Sequence, residues 1–453
     1  MYRILRPAVF CLLASLSSLL VANPLFSGGS TSTQRSDQLA FSQPSANLTH
    51  LERLDFSVGN SFFRSPWVSA PASTTARDGL GPLFNTTACI SCHIRDGRGR
   101  ATGVGMLVRV SIPNTSTPLH NTLGVTPEPT YGTQIQTMAL PGITPEAQVT
   151  VRYEELPVTF ADGFSISLRK PVVELTELGY GPLHPKAQLS ARMAPPMLGL
   201  GLLEAIPAEA ILARVDPDDK NADGIRGVAN WVWDHDAKQT ALGRFGWKAG
   251  QPSLLQQNAH AFANDLGLTT QRFPSDDCTV LQKACRIAVN GGVPEVSANI
   301  EHAVLFYTRH LAVPMRRNLT DPDVVKGEQL FHQAGCAGCH HPSYITSKAA
   351  PTALANQTIY PYTDLLLHDM GEGLADHRPE FLANGRQWRT APLWGLGLTH
   401  TVSGQIELLH DGRARSILEA ILWHDGEART AKEQVLNFNA AERQALLAFL
   451  NSL

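Results

Sequence analysis

Cys89-Ile90-Ser91-Cys92-His93 and Cys336-Ala337-Gly338-Cys339-His340 repeat one pattern, Cys-x-x-Cys-His, within a single chain. Two thiols at this spacing reach one edge of a porphyrin and can form thioethers with its vinyl groups. The adjacent His then swings beneath the iron as its proximal ligand. With seven cysteines in 453 residues, two matches by chance would be rare. The competing reading is one zinc site assembled from both Cys pairs. It leaves the His after each pair unexplained, and the pairs stand far apart in the chain. The pattern predicts two covalently bound haem c groups, with His93 and His340 on the two irons.

The start of the chain agrees with this. Tyr2 to Arg6 is basic, Ala8 to Ala22 is apolar apart from serines, and Ala22 offers a small residue for cleavage, so residues 1–22 read as a secretory signal. The apolar run is shorter than the roughly 20 residues a spanning helix needs, so no stable membrane span is expected after cleavage. Cys11 lies inside this run without a lipobox, which argues against a lipid anchor. C-type haem is attached outside the bacterial cytoplasm, so signal and motifs together predict a periplasmic protein. Only Cys278 and Cys285 then remain. In an oxidising compartment they suit a disulfide closing a short loop, whereas a redox-active dithiol would favour a two-residue spacing. A net charge of -3 with 17% charged residues argues against a nucleic-acid partner, which wants a basic surface.

Residues 24–50 are rich in Ser, Thr, Gln and Asn, so 23–53 reads as a flexible tether. Beyond it the chain echoes itself. Leu83-Phe84 precedes Cys89 as Leu330-Phe331 precedes Cys336. Arg192-Met-Ala-Pro-Pro-Met-Leu-Gly-Leu-Gly-Leu202 resembles Arg389-Thr-Ala-Pro-Leu-Trp-Gly-Leu-Gly-Leu398. Trp247 with Ser253-Leu254 matches His410 with Ser416-Ile417. Three landmarks in the same order imply tandem domains, placed at 54–320 and 321–453. Asp323 to His332 reads as a helix delivering Leu330 and Phe331, and Asn439 with Glu442 caps a C-terminal helix. Alternation around Ala161-Asp162-Gly163 predicts a β-hairpin over 149–169. Asp219, Asn221 and Asp223, followed by Gly224, read as a compact calcium loop, with an ordinary acidic turn as the alternative. The fold class expected is mainly α: two tandem cytochrome-c-like haem domains with an irregular, partly β insertion in the first.

The stretches Gly79–Asn85, Ala194–Ala205, Gly243–Ala249 and Pro361–Met370 resemble the di-haem oxidoreductase family, often labelled thiol oxidoreductase, within the bacterial di-haem cytochrome c peroxidase superfamily. The resemblance runs from about residue 54 to the C-terminus. The thiol label draws no support from the cysteine count. In the superfamily a His-Asp-Gly-Arg segment precedes the distal ligand of the C-terminal haem by fourteen residues. His410-Asp411-Gly412-Arg413 stands here, and the corresponding position is His424 where the peroxidases carry Met. The resemblance thus implies a bis-His haem through His340 and His424, at a lower potential than a His/Met haem; a structural His is the alternative. It also implies Trp247 as a relay between haems, against a core Trp, and Asp265 as a distal acid–base at the peroxide-reacting haem, against a surface or capping Asp. The sixth ligand of the first haem stays open, with His260, Met197, Met138 and His120 as candidates. His368, Asp369 and Met370 form a polar cluster that either lines the second haem pocket or makes a hydrogen-bonded turn.

The function implied is a periplasmic di-haem c-type cytochrome oxidoreductase of peroxidase-like architecture. Electrons would pass from the C-terminal bis-His haem to the N-terminal haem, with a small periplasmic electron donor or acceptor as partner. The alternatives are an electron-transfer di-haem cytochrome without catalysis and an accessory redox partner for another periplasmic system. Long insertions favour the oxidoreductase, since a simple carrier has little use for them.

Overall fold

Thr49 and Glu52 exchange hydrogen bonds across the first turn of helix α1 (His50–Arg64), a capping box that fixes where the chain turns helical. The structure, a computed structural model, describes residues 23–113 and 118–453; the expected signal segment 1–22, with Cys11, lies outside the described residues. Further along, Ser253 caps α2 (Leu254–Leu266), and α3 (Ala298–Arg309) follows Ser297. Asp321 caps α4 (Pro322–Gln333), Ser416 caps α5 (Ile417–Trp423), and the predicted Asn439/Glu442 box opens α6 (Ala440–Ser452). The Ser253 and Ser416 echo in the sequence is therefore a repeated N-cap.

Helix α1 crosses α3 at Gly59, and α4 crosses α6 at Gly327. A Cβ at either glycine would overlap a carbonyl oxygen of the facing helix, that of Ala303 or of Ala445. One turn on, Phe63 faces Tyr307 at 5.1 Å between ring centroids, and Phe331 faces Phe449 at 5.2 Å. The same rings approach the motif histidines, Phe63 to His93 at 6.1 Å and Phe331 to His340 at 6.3 Å. This repeat corrects one sequence landmark. The spatial counterpart of Phe331 is Phe63 on α1, whereas Phe84 sits in a two-residue strand paired with Met138. A further echo is reciprocal in space: Gly199 and Gly395 both take positive φ (68° and 74°), Gly199 lying against the Trp394 ring and Gly395 against Leu198.

The strands used below are β1 (Met106–Ser111), β2 (Gln148–Thr159), β3 (Ser165–Thr176), β4 (Gln188–Met193), β5 (Leu367–Asp369) and β6 (Gln387–Arg389). They pair antiparallel as β1 with β4, β2 with β3 and β5 with β6. The β2–β3 hairpin turns at Ala161-Asp162-Gly163 as expected. It lies on the C-terminal part of the chain: Ala161 N–H donates to the Leu436 carbonyl, and Arg443 pairs with Asp162 at 2.8 Å.

Two expectations need correction. The fold is mixed α and β, with 30% helix and 18% strand, rather than mainly α. Among the described residues, six two-stranded ribbons and long irregular connections carry the chain between the helices. The segment 23–53 is also not a loose tether. Thr33 bridges Pro314, Pro44 bridges Leu311, Phe41 is buried, and Ser42 donates to Asp96 at 2.6 Å. Its hydroxyls satisfy backbone groups, as with Thr31 to the Gly28 carbonyl and Ser45 to that of His310. Polar composition therefore signalled solvation where the side chains are internally bonded. Cys278 and Cys285 form the expected disulfide, Cα–Cα 5.9 Å. Among the described residues no helix is long and apolar enough to cross a membrane.

Candidate functional site

The second Cys-x-x-Cys-His motif sits directly after α4 in a tight turn, where His340 N–H donates to the Cys336 carbonyl at 3.0 Å. Nδ1 of His340 lies 2.9 Å from the Tyr362 carbonyl. His424 closes the C-terminus of α5, its Nδ1 2.7 Å from the Ala420 carbonyl. Each carbonyl holds the ring proton on Nδ1 and leaves Nε2 as the free lone pair, the usual second-shell device for a ligating imidazole. The two rings stand 6.5 Å apart between centroids, inclined by 43°. Two imidazole nitrogens each ~2 Å from one metal set ring centroids roughly 6 Å apart, so the pair fits an iron held between them. Burial keeps both rings neutral, pushing His340 down to about 4 and His424 below its ordinary value.

His368 is no ligand candidate, because both its nitrogens are engaged, Nε2 with Asp364 at 2.8 Å and Nδ1 with Glu427 at 2.7 Å. Burial opposes its charge, but the Asp364 and Glu427 carboxylates on its two nitrogens favour the imidazolium and hold it above its ordinary range. Asp369 makes the hydrogen-bonded turn considered from the sequence, with its N–H on Glu427 and its carboxylate on Arg386. Met370 packs at the edge of the core formed with Phe331, Leu374 and Trp423.

The first motif forms a single helical turn, Cys89–Cys92, and His93 Nδ1 lies 2.8 Å from the Pro195 carbonyl. Burial pushes His93 down to about 4. Unlike His340, its ring has no second imidazole stacked near it among the described residues; its ring neighbour is Phe63. Cys89, Cys92 and His93 instead line a cavity of about 590 Å³, a size typical of small-molecule and cofactor sites. One face of α2 supplies Gln257, His260, Asn264 and Asp265 to its wall. The donor set and the space fit a haem at the first motif, and the thiols with the facing imidazoles fit one at the second.

Asp265 accepts from Gln134 Nε2 at 3.0 Å, and its backbone carbonyl takes the N–H groups of Asn85 and Thr86. Burial raises its carboxyl, with Arg109 and Gln134 opposing. Asp265 thus joins the cavity wall rather than the surface. Trp247 donates to the Met193 carbonyl at 2.8 Å, lines the cavity, and belongs to the same apolar core as Phe331 and Trp423. It therefore bridges the first cavity and the second motif's surroundings. His410 stacks on Trp388 with ring centroids 3.7 Å apart, and Lys248 Nζ lies 4.3 Å from the Trp388 ring centroid. Of the sixth-ligand candidates, Met197 and His260 line the cavity, whereas Met138 is 41% exposed.

Asp219, Asn221 and Asp223 spend oxygens on local N–H groups, those of Gly224, Asp223 and Ile225. These are the contacts of an acidic turn. Sequence reading missed the cationic wall of the first cavity: Arg98, Arg109, Arg192, Arg378 and Arg389. The only sequence signal was that Arg192 and Arg389 open the two echoing Ala-Pro segments.

A family model described as "Di-haem oxidoreductase, putative peroxidase" matches residues 23–117 and 135–453. No curated protein matches the chain. Among solved structures, hydrazine synthase from Kuenenia stuttgartiensis, pressurised with 20 bar xenon, is similar over 99% of this chain and 100% of its own, at 13% identity and a TM-score of 0.35. That likeness is too distant to bear on fold or function.

Proposed function

Because the chain belongs to the di-haem oxidoreductase family, we propose that it is a periplasmic di-haem c-type oxidoreductase that reduces a peroxide with electrons from a small one-electron donor protein. The observation that carries this is an asymmetry. One motif has two imidazoles facing across 6.5 Å, and the other has its own imidazole beside a cavity of about 590 Å³ whose largely apolar lining carries arginines, Asp265 and His260. When bound, haem supplies one-electron exchange and, where its sixth position is open, peroxide reduction. The thiols of Cys89, Cys92, Cys336 and Cys339 would hold the two groups covalently, with calcium at Asp219, Asn221 and Asp223 as a lesser candidate.

His340 and His424 would hold the second group between them, which would suit that site to electron entry and not to substrate. His93 would hold the first group from one side, and no second imidazole packs against its ring among the described residues, so the reactant could approach from the wall that carries His260 and Asp265. Trp247, bonded to the Met193 carbonyl and shared between cavity and core, is placed to relay electrons from the second site to the first. Asp265, half-buried beside Cys89 and Cys92, would bring protons into the cavity.

Electron paramagnetic resonance of the oxidised and half-reduced protein tests this. We expect one low-spin bis-His signal and one high-spin signal that hydrogen peroxide consumes. Two low-spin signals indifferent to peroxide in every redox state would leave electron transfer alone.

A further inference from the structure

We infer that His260 and Arg109 are the substrate-facing pair of the first cavity, His260 as the base that relocates the peroxide proton and Arg109 as the cation that offsets developing oxygen charge. This rests on the proposed open first site. His260 projects from α2 on the face that also carries Gln257 and Asn264 into the cavity. Its ring leans edge-on against Phe273, centroids 5.6 Å apart, and neither ring nitrogen has a hydrogen-bond partner among the described residues.

Arg109 comes from β1 on the adjoining wall. Its backbone bridges Gln134, whose side chain donates to the Asn264 carbonyl at 2.7 Å and to Asp265 at 3.0 Å, so β1 is strapped to α2 beside His260. The Arg109 guanidinium likewise has no hydrogen-bond partner among the described residues. The neighbouring cations differ. Arg98 and Arg389 donate to backbone carbonyls, and Arg192 and Arg378 grip Glu380. Asp265 is held by Gln134 and Asp277 by Thr133, so the nearby carboxylates also have other donors. An unpartnered base and an unpartnered cation on adjoining walls of one cavity are what a small, weakly acidic oxygen substrate requires.

The charged and titratable groups around His260 are Arg109 and Arg378, Glu380 and His235. Burial, with Arg109 next, pushes its imidazole down to about 3, so the ring is neutral before a substrate enters. In the step inferred, His260 takes the proton from one peroxide oxygen and returns it to the other as the O–O bond breaks. That oxygen leaves as water. The remaining oxygen becomes the second water with two electrons from the one-electron donor and two protons from solvent.

Cyanide association is the test, because hydrogen cyanide must also give up a proton to bind as an anion, and it needs no turnover. The proteins compared are wild type, His260→Gln, His260→Ala, Arg109→Leu and Arg109→Lys, each with two haems per chain by pyridine haemochrome. We expect His260→Ala and His260→Gln to slow cyanide association by about 100-fold or more, Arg109→Leu to slow it with partial recovery in Arg109→Lys, and the first haem's spin state to stay as in wild type. Unchanged rates in both His260 variants would overturn the inference. A low-spin signal in wild type that turns high-spin in His260→Ala, with faster cyanide binding, would make His260 a sixth ligand and overturn it too. A wild type that never binds cyanide would instead overturn the open-site reading on which it rests.

Discussion

His424→Ala is the perturbation that most directly probes the second site. The structure holds His424 ready: a carbonyl 2.7 Å from Nδ1 fixes the ring, and its centroid stands 6.5 Å from that of His340. Replacing it removes one of two facing imidazoles and touches nothing at His93. Half of the total iron should therefore change from low-spin to high-spin, and the other half should not respond. The affected haem's potential should rise, by about 60 mV for each tenfold by which imidazole had favoured ferric over ferrous iron. The alanine also leaves a ring-sized hollow between Ala420 and the iron, so millimolar imidazole should restore the low-spin signal. Paramagnetic resonance and a spectroscopic redox titration measure both effects. If His424→Ala keeps its low-spin signal and its potential, the ring pair is core packing, and the bis-His reasoning fails.

Other outcomes follow from the same contacts. Trp247→Phe should slow equilibration of electrons between the haems after rapid partial reduction while leaving both haem spectra unchanged; an unaltered rate would remove Trp247 from the path. Its lost hydrogen bond to the Met193 carbonyl should cost about 1 kcal/mol in denaturant unfolding. Lys248 is fully buried, 2.9 Å from Asp376 and 2.8 Å from the Asn384 carbonyl. Lys248→Met should destabilise by about 3 kcal/mol, the low end for breaking a buried pair, because Asp376 keeps Ser190 at 2.7 Å. Burial, against the pull of Asp376, holds Lys248 at about 8. Between there and ~10.4, its unfolded value, the unfolded chain binds more protons. Wild-type stability should therefore gain with pH in that window from Lys248, and Lys248→Met should lose that gain. Removing calcium with a chelator should leave the melting temperature unchanged if Asp219, Asn221 and Asp223 form only a turn; a drop reversed by added calcium would restore the metal reading.

The features legible in the sequence are those whose cause is local. A capping box needs two residues three apart, so Asn439 and Glu442 announced α6. A hairpin needs alternation and a turn, so the strands around Gly163 were visible. A disulfide in an oxidising compartment needs only two leftover thiols. The features that were not legible depend on distant partners. Phe63 matches Phe331 because Gly59 and Gly327 let two helix pairs cross alike, and that equivalence lives in the crossing rather than in the spacing to Cys89. The segment before α1 looked solvated because its hydroxyls are bonded to backbone groups such as the His310 carbonyl, far along the chain. The same logic explains the cavity. Arg109 and His260 lie on a strand and a helix joined through Thr133 and Gln134 from a third segment, so no motif could have joined them. What distinguishes them from the surrounding arginines is that their side-chain nitrogens have no hydrogen-bond partner among the described residues, a property that exists only once the other side chains are in place.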